Sequence, residues 1–152
     1  MDVAQQQQGG LPMVQLIVGK KGKGKTKQLL NKVNDEIKST SGSIVYLDKS
    51  NKHMFELNNK VRLIDVCSFF IDNFDEFFGF VSGIISQDND LQQMYFDNFL
   101  EISGIGDGGD YVEPIHRLEK IGEKYQIDFV LSVSSDISEV PDELKDKVII
   151  SL

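Results

Sequence analysis

The stretch that decides the fold is VQLIVGKKGKGKTKQLL, residues 14–30. Its first five residues are apolar or β-branched except for Gln15, and they end at Gly19. A short run of this kind, closed by glycine, predicts a buried strand. From Leu29 onward the period changes: Leu29, Leu30, Val33 and Ile37 fall on one helical stripe. Between strand and helix stand Gly19, Lys20, Lys21, Gly22, Lys23, Gly24, Lys25 and Thr26, which fit G-x-x-x-x-G-K-[ST] at every fixed position. That spacing has a physical meaning only where a strand enters and a helix leaves, as here. A polyphosphate carries several negative charges and is met by converging backbone N–H groups. Gly19, Gly22 and Gly24 are expected to turn the chain with positive φ and allow close approach. The helix that follows offers its first amides and its dipole. Lys25 is expected to reach the β- and γ-phosphates, and the Thr26 hydroxyl to ligate Mg²⁺. The pattern gives Lys20, Lys21, Lys23 and Lys27 no separate role; they read as a basic rim around the ligand.

Outward from this stretch, strand and helix patterns alternate. Residues 44–48 (IVYLD) and 61–66 (VRLIDV) read as strands, with a short amphipathic turn between them that holds Met54, Phe55 and Leu57. Residues 39–43 (STSGS) end the first helix. Phe70, Phe74, Phe77, Phe78, Val81, Ile84 and Ile85 recur at helical spacing, with Phe69 and Phe80 off that stripe. Residues 91–97 (LQQMYFD) form a fourth strand, 103–110 (SGIGDGGD) a Gly/Asp loop, and 112–125 a helix with Val112, Ile115, Leu118, Ile121 and Tyr125 inward. Residues 128–134 (DFVLSVS) and 148–152 (VIISL) close the pattern. Short apolar strands joined by helices predict an α/β fold, three layers α/β/α, with a mostly parallel sheet of five to six strands. One domain is expected over 13–152. Residues 1–12 read as a disordered tail or an expression remnant, with Met13 as the natural start.

With strand, loop and helix in place, the chain resembles the P-loop NTPase superfamily, and its strand–helix alternation is similar to the RecA-like branch. Some small bacterial ATP-binding proteins of this look carry labels that link them to the pilus-retraction ATPases of twitching motility. The His-containing motifs of those motors are not found in this sequence. The resemblance implies Mg-dependent ATP binding and ATPase activity, slow or stimulated by a partner. It also implies an acid at the end of a second buried strand to hold the Mg²⁺ shell. Asp97 is chosen for that place over Asp65, since two strands would intervene between the loop strand and its own. Many relatives carry Glu directly after this Asp; here Asn98 stands there, which weakens the case for fast hydrolysis. Relatives in this branch also keep an acid at the end of the second strand, so Asp48 is the candidate to activate water. Ser132 or Ser134 matches a polar γ-phosphate sensor position. Lys25, Asp48 and Asp97 are thus the candidate catalytic set, and Thr26 and Asp97 the candidate metal ligands.

The remaining composition narrows the alternatives. Only Arg62 and Arg117 supply guanidinium groups, too few for the usual arginine clamp of a nucleotide kinase. No [NT]-K-x-D guanine signal occurs, so ATP is preferred over GTP. Arg117 could act on a neighbouring subunit's nucleotide or form a surface ion pair. His53 and His116 lack companions at ligand spacing. Residues 1–60 hold ten lysines against five acids, and residues 61–152 hold six bases against nineteen acids, for a net charge of −8. The basic half surrounds the glycine-lysine loop, whereas the net charge argues against nucleic acid as a partner. A homo-oligomer or a protein partner fits the class. A single cysteine, Cys67, and the absence of an apolar leader or membrane-length run suggest a cytoplasmic setting.

Overall fold

The computed structural model describes residues 13–152, so the expectation for residues 1–12 lies outside it. The strands are β1 (Val14–Gly19), β2 (Ser43–Asp48), β3 (Arg62–Asp65), β4 (Leu91–Phe96), β5 (Asp128–Ser134) and β6 (Val148–Ser151). The α-helices are α1 (Lys25–Glu36), α2 (Phe74–Gln87), α3 (Phe99–Ile102) and α4 (Val112–Tyr125). The strands make one six-stranded sheet in the order β3-β2-β4-β5-β1-β6, and every ladder in it is parallel. The fold class is therefore α/β, with helices on both faces of the sheet.

Period-two alternation assigns the faces. Ile17, Ile44, Tyr46, Tyr95 and Val130 pack with Leu29, Leu30 and Val33 of α1 on one side. Leu16, Val45, Leu47, Phe96, Phe129 and Leu131 pack with α2 and α4 on the other, through Phe77, Val81, Ile115 and Leu118. Phe77 anchors this second layer, its ring edge-on to Phe96 at 5.2 Å and to Phe99 at 6.2 Å. Each such fully buried side chain contributes about 2–3 kcal/mol of burial free energy.

Several side chains depart from the sequence pattern. α2 begins at Phe74 because the Asn73 side chain accepts the Glu76 N–H and caps it. Phe70 thus lies before the helix, at φ 58° and 88 % exposed, and does not extend its apolar stripe. Phe69 and Phe80, both off the stripe, meet each other at 5.3 Å. Met54 and Phe55 of the short turn face solvent, and only Leu57 is buried. α4 has the expected bounds, but Tyr125 is half-exposed; Gly122 takes the inward place, against Phe129 and the Ile127 carbonyl. Inside α2, Gly79 and Gly83 are exposed, and a Cβ at either would meet nothing within 4 Å. Each costs the helix about 1 kcal/mol relative to alanine.

The sheet order positions the site. In a parallel sheet the carboxyl ends of the strands open onto one edge, where ligands bind. Gly19, Asp48, Asp97 and Ser134 all stand at that edge, and β5 lies between β1 and β4. No helix among the described residues is long and apolar enough to cross a membrane.

Candidate functional site

The Gly19–Thr26 loop is a sharp turn held by its own backbone. Gly22 and Gly24 have φ of 82° and 98°, the left-handed region that only glycine enters at little cost. The Lys23 N–H donates to the Lys20 carbonyl at 3.3 Å. Gly19 differs from the expectation. It carries no positive φ; its smallness is needed because a Cβ there would come within 3.0 Å of the Leu152 Cβ. The chain end packs there because the Leu152 N–H donates to the Val18 carbonyl at 2.9 Å.

Gly24 is the residue before α1, no side chain caps that helix, and no acid stands in its first turn. An uncapped helix N-terminus of this kind has free N–H groups that can donate to an anion. Lys25 is 8 % exposed, and its ammonium donates to the Lys20 carbonyl at 3.1 Å, folding back over the loop. Burial lowers its pKa, while the Asp97 charge raises it and Lys21 lowers it again. Lys20, Lys21, Lys23 and Lys27 are all exposed, as a rim would be. Lys21 reaches across to Asp107 of the Gly/Asp loop at 3.2 Å.

Asp97, immediately after β4 and 4 % exposed, is the hub of the site. Its Oδ1 accepts the Thr26 hydroxyl at 3.1 Å and the Ser132 hydroxyl at 3.2 Å. Its Oδ2 accepts the Tyr46 hydroxyl at 2.9 Å. Burial, then the charge of Asp97, holds the Tyr46 phenol protonated far above its ordinary range. Asp65, the rejected alternative, accepts the Cys67 N–H and the Ser68 hydroxyl and closes its own turn.

Thr26 Oγ1 and Asp97 Oδ1 could hold a divalent cation. Adjacent ligands of an octahedral Mg²⁺ at about 2.1 Å lie about 3 Å apart, which fits the observed 3.1 Å. The second carboxylate, Asp48, is 4 % exposed and its Oδ2 has no partner among the described residues. Its Oδ1 accepts the Lys49 N–H at 2.7 Å. No group of three or more His, Cys, Asp or Glu side chains is placed to hold a metal among the described residues. A cation here would therefore lean on the hydroxyl, water and ligand oxygens, as Mg²⁺ does.

Burial, and then the charge of Asp97, pushes the Asp48 carboxyl up to about 6 from 3.8. Below about pH 4 both folded and unfolded chains hold this proton. As pH rises from 4 to 6 the unfolded chain releases it first, so the folded state loses stability. The loss is complete above the folded value and amounts to about 2–3 kcal/mol. Asp48→Asn is expected to match wild type near pH 4 and to exceed its stability by about 2 kcal/mol at pH 8. Denaturant unfolding at the two pH values checks this; equal differences at both would refute it.

A cleft of about 500 Å³ opens in front of the loop and Asp97, lined also by Asn98, Ser132 and Ser134, while Asp48 is not among its lining residues. Lys49, Lys52, His53 and Glu101 complete its wall. Sequence reasoning passed over Lys49, Lys52 and Glu101 and set His53 aside for want of a companion, since the four gather only when the turns after β2 and β4 meet at the sheet edge. Tyr46 was also missed. Its signal was a polar tip on the apolar face, two residues before Asp48. Asn98 sits in the left-handed region at φ 61°, donates its amide N–H to Ser132 at 2.7 Å and its side chain to Glu101 at 2.7 Å. Ser132 thus joins Asn98 to Asp97. A neighbouring cavity of about 450 Å³ shares Ser134 and includes Tyr111, whose buried hydroxyl has no partner among the described residues.

Arg117 is not part of this cleft. It pairs with Asp75 at 2.7 Å and lies over the Phe78 ring at 4.4 Å, which is a surface ion pair. His116 stands 3.9 Å from Glu113 on the same helix, and His53 at the cleft rim contacts Glu56 at 2.6 Å. No protein-family model matches this chain, and no curated protein matches it.

Proposed function

We propose that the protein binds Mg-ATP at the Gly19–Thr26 loop and hydrolyses it slowly or on contact with a partner, as a P-loop NTPase of the RecA-like branch. The observation that carries this reading is the meeting of Lys25, Thr26 and Asp97 at the mouth of a glycine turn that opens α1. The place of β5 between β1 and β4 supports the branch.

In this reading the bare N-terminus of α1 and the loop amides hold the β-phosphate region. Lys25 leaves the Lys20 carbonyl for the phosphates. Thr26 and Asp97 would hold Mg²⁺, whose charge neutralises the phosphate oxygens. Tyr46 and Ser132 orient the Asp97 carboxylate, as groups behind a metal ligand do. The cavity that shares Ser134 gives room for the nucleoside. ATP is taken rather than GTP because no guanine signal is present. A reducing, cytoplasmic setting suits the free, exposed Cys67.

Asn98 favours a second reading, a nucleotide-dependent switch with little hydrolysis. No carboxylate follows Asp97 directly, and the Asn98 side chain is tied to Glu101. Two acids remain to activate water: Asp48, buried behind Lys49, and Glu101, on the cleft wall.

Two measurements test the proposal. Mg-ATP should raise Tm, since ligand at a hundred times Kd stabilises by about 2.7 kcal/mol. No rise beyond that from Mg²⁺ alone would defeat the binding claim. Phosphate release should then exceed that of Asp48→Asn or of Glu101→Gln, and the weaker variant names the acid. Binding without phosphate release above background in the wild type leaves the switch.

A further inference from the structure

We propose that Lys52, with Lys49 beside it in the turn after β2, contacts the terminal phosphate of the bound nucleotide, so that the cleft takes a nucleoside triphosphate in preference to the diphosphate. This role rests on the nucleotide site proposed above. The charged lining of the cleft is Lys21, Lys25, Lys49 and Lys52 against Asp97 and Glu101. Four lysines against two carboxylates, in a chain of net charge −8, give the cleft a local positive excess suited to an anion.

Three of the four ammonium groups already have a partner. Lys21 pairs with Asp107 at 3.2 Å, Lys25 donates to the Lys20 carbonyl at 3.1 Å, and Lys49 stands 3.6 Å from Glu101. Lys52 is exposed, and its ammonium has no partner among the described residues. The turn that carries it is held by its own bonds. The Lys52 N–H donates to the Ser50 hydroxyl at 3.4 Å, and the Met54 N–H donates to the Asn51 carbonyl at 3.1 Å. His53, the next residue, contacts Glu56 at 2.6 Å and lines the same cleft. Burial and then Asp97 raise the pKa of the Asp48 carboxyl, while the charges of His53 and Lys52 lower it, as cations near that strand end do.

Sheet order decides which phosphate these lysines meet. β5 lies between β1 and β4, and β2 flanks β4 on its far side. The Gly19–Thr26 loop leaves β1, Asp97 follows β4, and the turn of residues 49–53 leaves β2. A phosphate chain that starts in the loop and runs toward Asp97 therefore brings its last phosphate, not its first, toward Lys49 and Lys52. Other phosphoryl-transfer sites place an arginine on that phosphate, and this chain offers none there. Arg117 is paired with Asp75 and lies outside the cleft, and Arg62 stands at the amino end of β3, away from the carboxyl edge of the sheet. Lys49 can join Lys52 at little cost. Its pair with Glu101 is loose and half-exposed, and Glu101 keeps the Asn98 side chain, which donates to it at 2.7 Å.

Calorimetric titration of ATP and of ADP, each with Mg²⁺, into the full chain and its variants tests this. Wild type is expected to bind ATP at least about tenfold more tightly than ADP. Lys52→Ala should lower the ATP affinity about tenfold, as loss of a charge-assisted hydrogen bond does, and the ADP affinity by no more than about twofold. Lys52→Arg, which keeps the charge, should retain the preference. Lys49→Ala should lower the ATP affinity by about threefold, since Lys49 gives up Glu101 to reach the phosphate. Lys60→Ala removes an equal charge from outside the cleft and should leave the ratio of the two affinities as it is. Equal affinities in the wild type, a ratio that survives Lys52→Ala, or a parallel fall of both affinities each overturns the role of Lys52 while the nucleotide site stands. If neither nucleotide binds the wild type, the nucleotide site itself is wrong, and this role goes with it.

Discussion

Lys25→Ala is expected to weaken Mg-ATP binding by about 10–100-fold, and to lower any turnover by about 10²–10³-fold. The expectation follows from where the ammonium stands. It is 8 % exposed and donates to the carbonyl of Lys20, a loop residue five positions earlier. In the proposed complex it exchanges that neutral acceptor for charged phosphate oxygens, and charge-assisted bonds are about twice as strong as neutral ones. The apo protein should tolerate the change. Burial already lowers the pKa of this amine, so its charge is held at a cost, and the methylene stem is the smaller part of its contribution. Lys25→Met keeps the stem and separates packing from charge. Lys27→Ala, on the exposed rim, should change affinity by no more than about threefold. Calorimetric titration of nucleotide into the four proteins decides the matter. If Lys25→Ala binds as tightly as wild type while Lys27→Ala does not, the loop holds its ligand by its rim and the proposed role of Lys25 is wrong.

The contrast between these lysines was legible in the sequence because fixed spacing and periodicity carry it. Glycine at two turn positions, lysine at the seventh place and an apolar stripe from Leu29 leave few arrangements of the chain. The six strands and the bounds of α4 were legible because short β-branched or apolar runs mark the strands and a helical stripe marks α4. Strand counting was also enough to put Asp97 at the end of β4, where its carboxylate meets Thr26. What the sequence concealed arises between elements. Nothing local to Gly19 announces that Leu152 will pack against it; its glycine looks like a third turn residue. Phe70 has the right spacing for α2, but the Asn73 cap starts the helix after it. Tyr125 has the right spacing for α4, but Gly122 brings the Ile127 carbonyl and Phe129 against the helix end instead. Tyr46 and Ser132 lie on β2 and β5, and only the sheet order shows that they flank β4 and both reach Asp97.

That hub supports the second large effect. Asp97→Asn is expected to remove most of the Mg²⁺ dependence of ATP binding, with apparent metal affinity falling by about 10–100-fold or more. Asparagine keeps the shape and one acceptor oxygen, so the Tyr46 hydroxyl retains a partner, and the amide group can donate toward Thr26 or Ser132. It removes the charge that a cation needs. It also removes the charge that raises the carboxyl of Asp48, so that group should titrate closer to its ordinary range in the variant. Apo stability should therefore change little, or rise at neutral pH, while metal-dependent binding collapses. Asp65→Asn is the matched control. It alters a strand-end carboxylate whose partners are Cys67 and Ser68, away from the loop, and should leave the Mg²⁺ dependence intact. ATP titrations with and without Mg²⁺ read the difference. If Asp65→Asn flattens the metal response and Asp97→Asn does not, the metal lies at the end of β3. The hydrogen bonds of Thr26, Tyr46 and Ser132 to Asp97 would then only brace the carboxyl edge of the sheet.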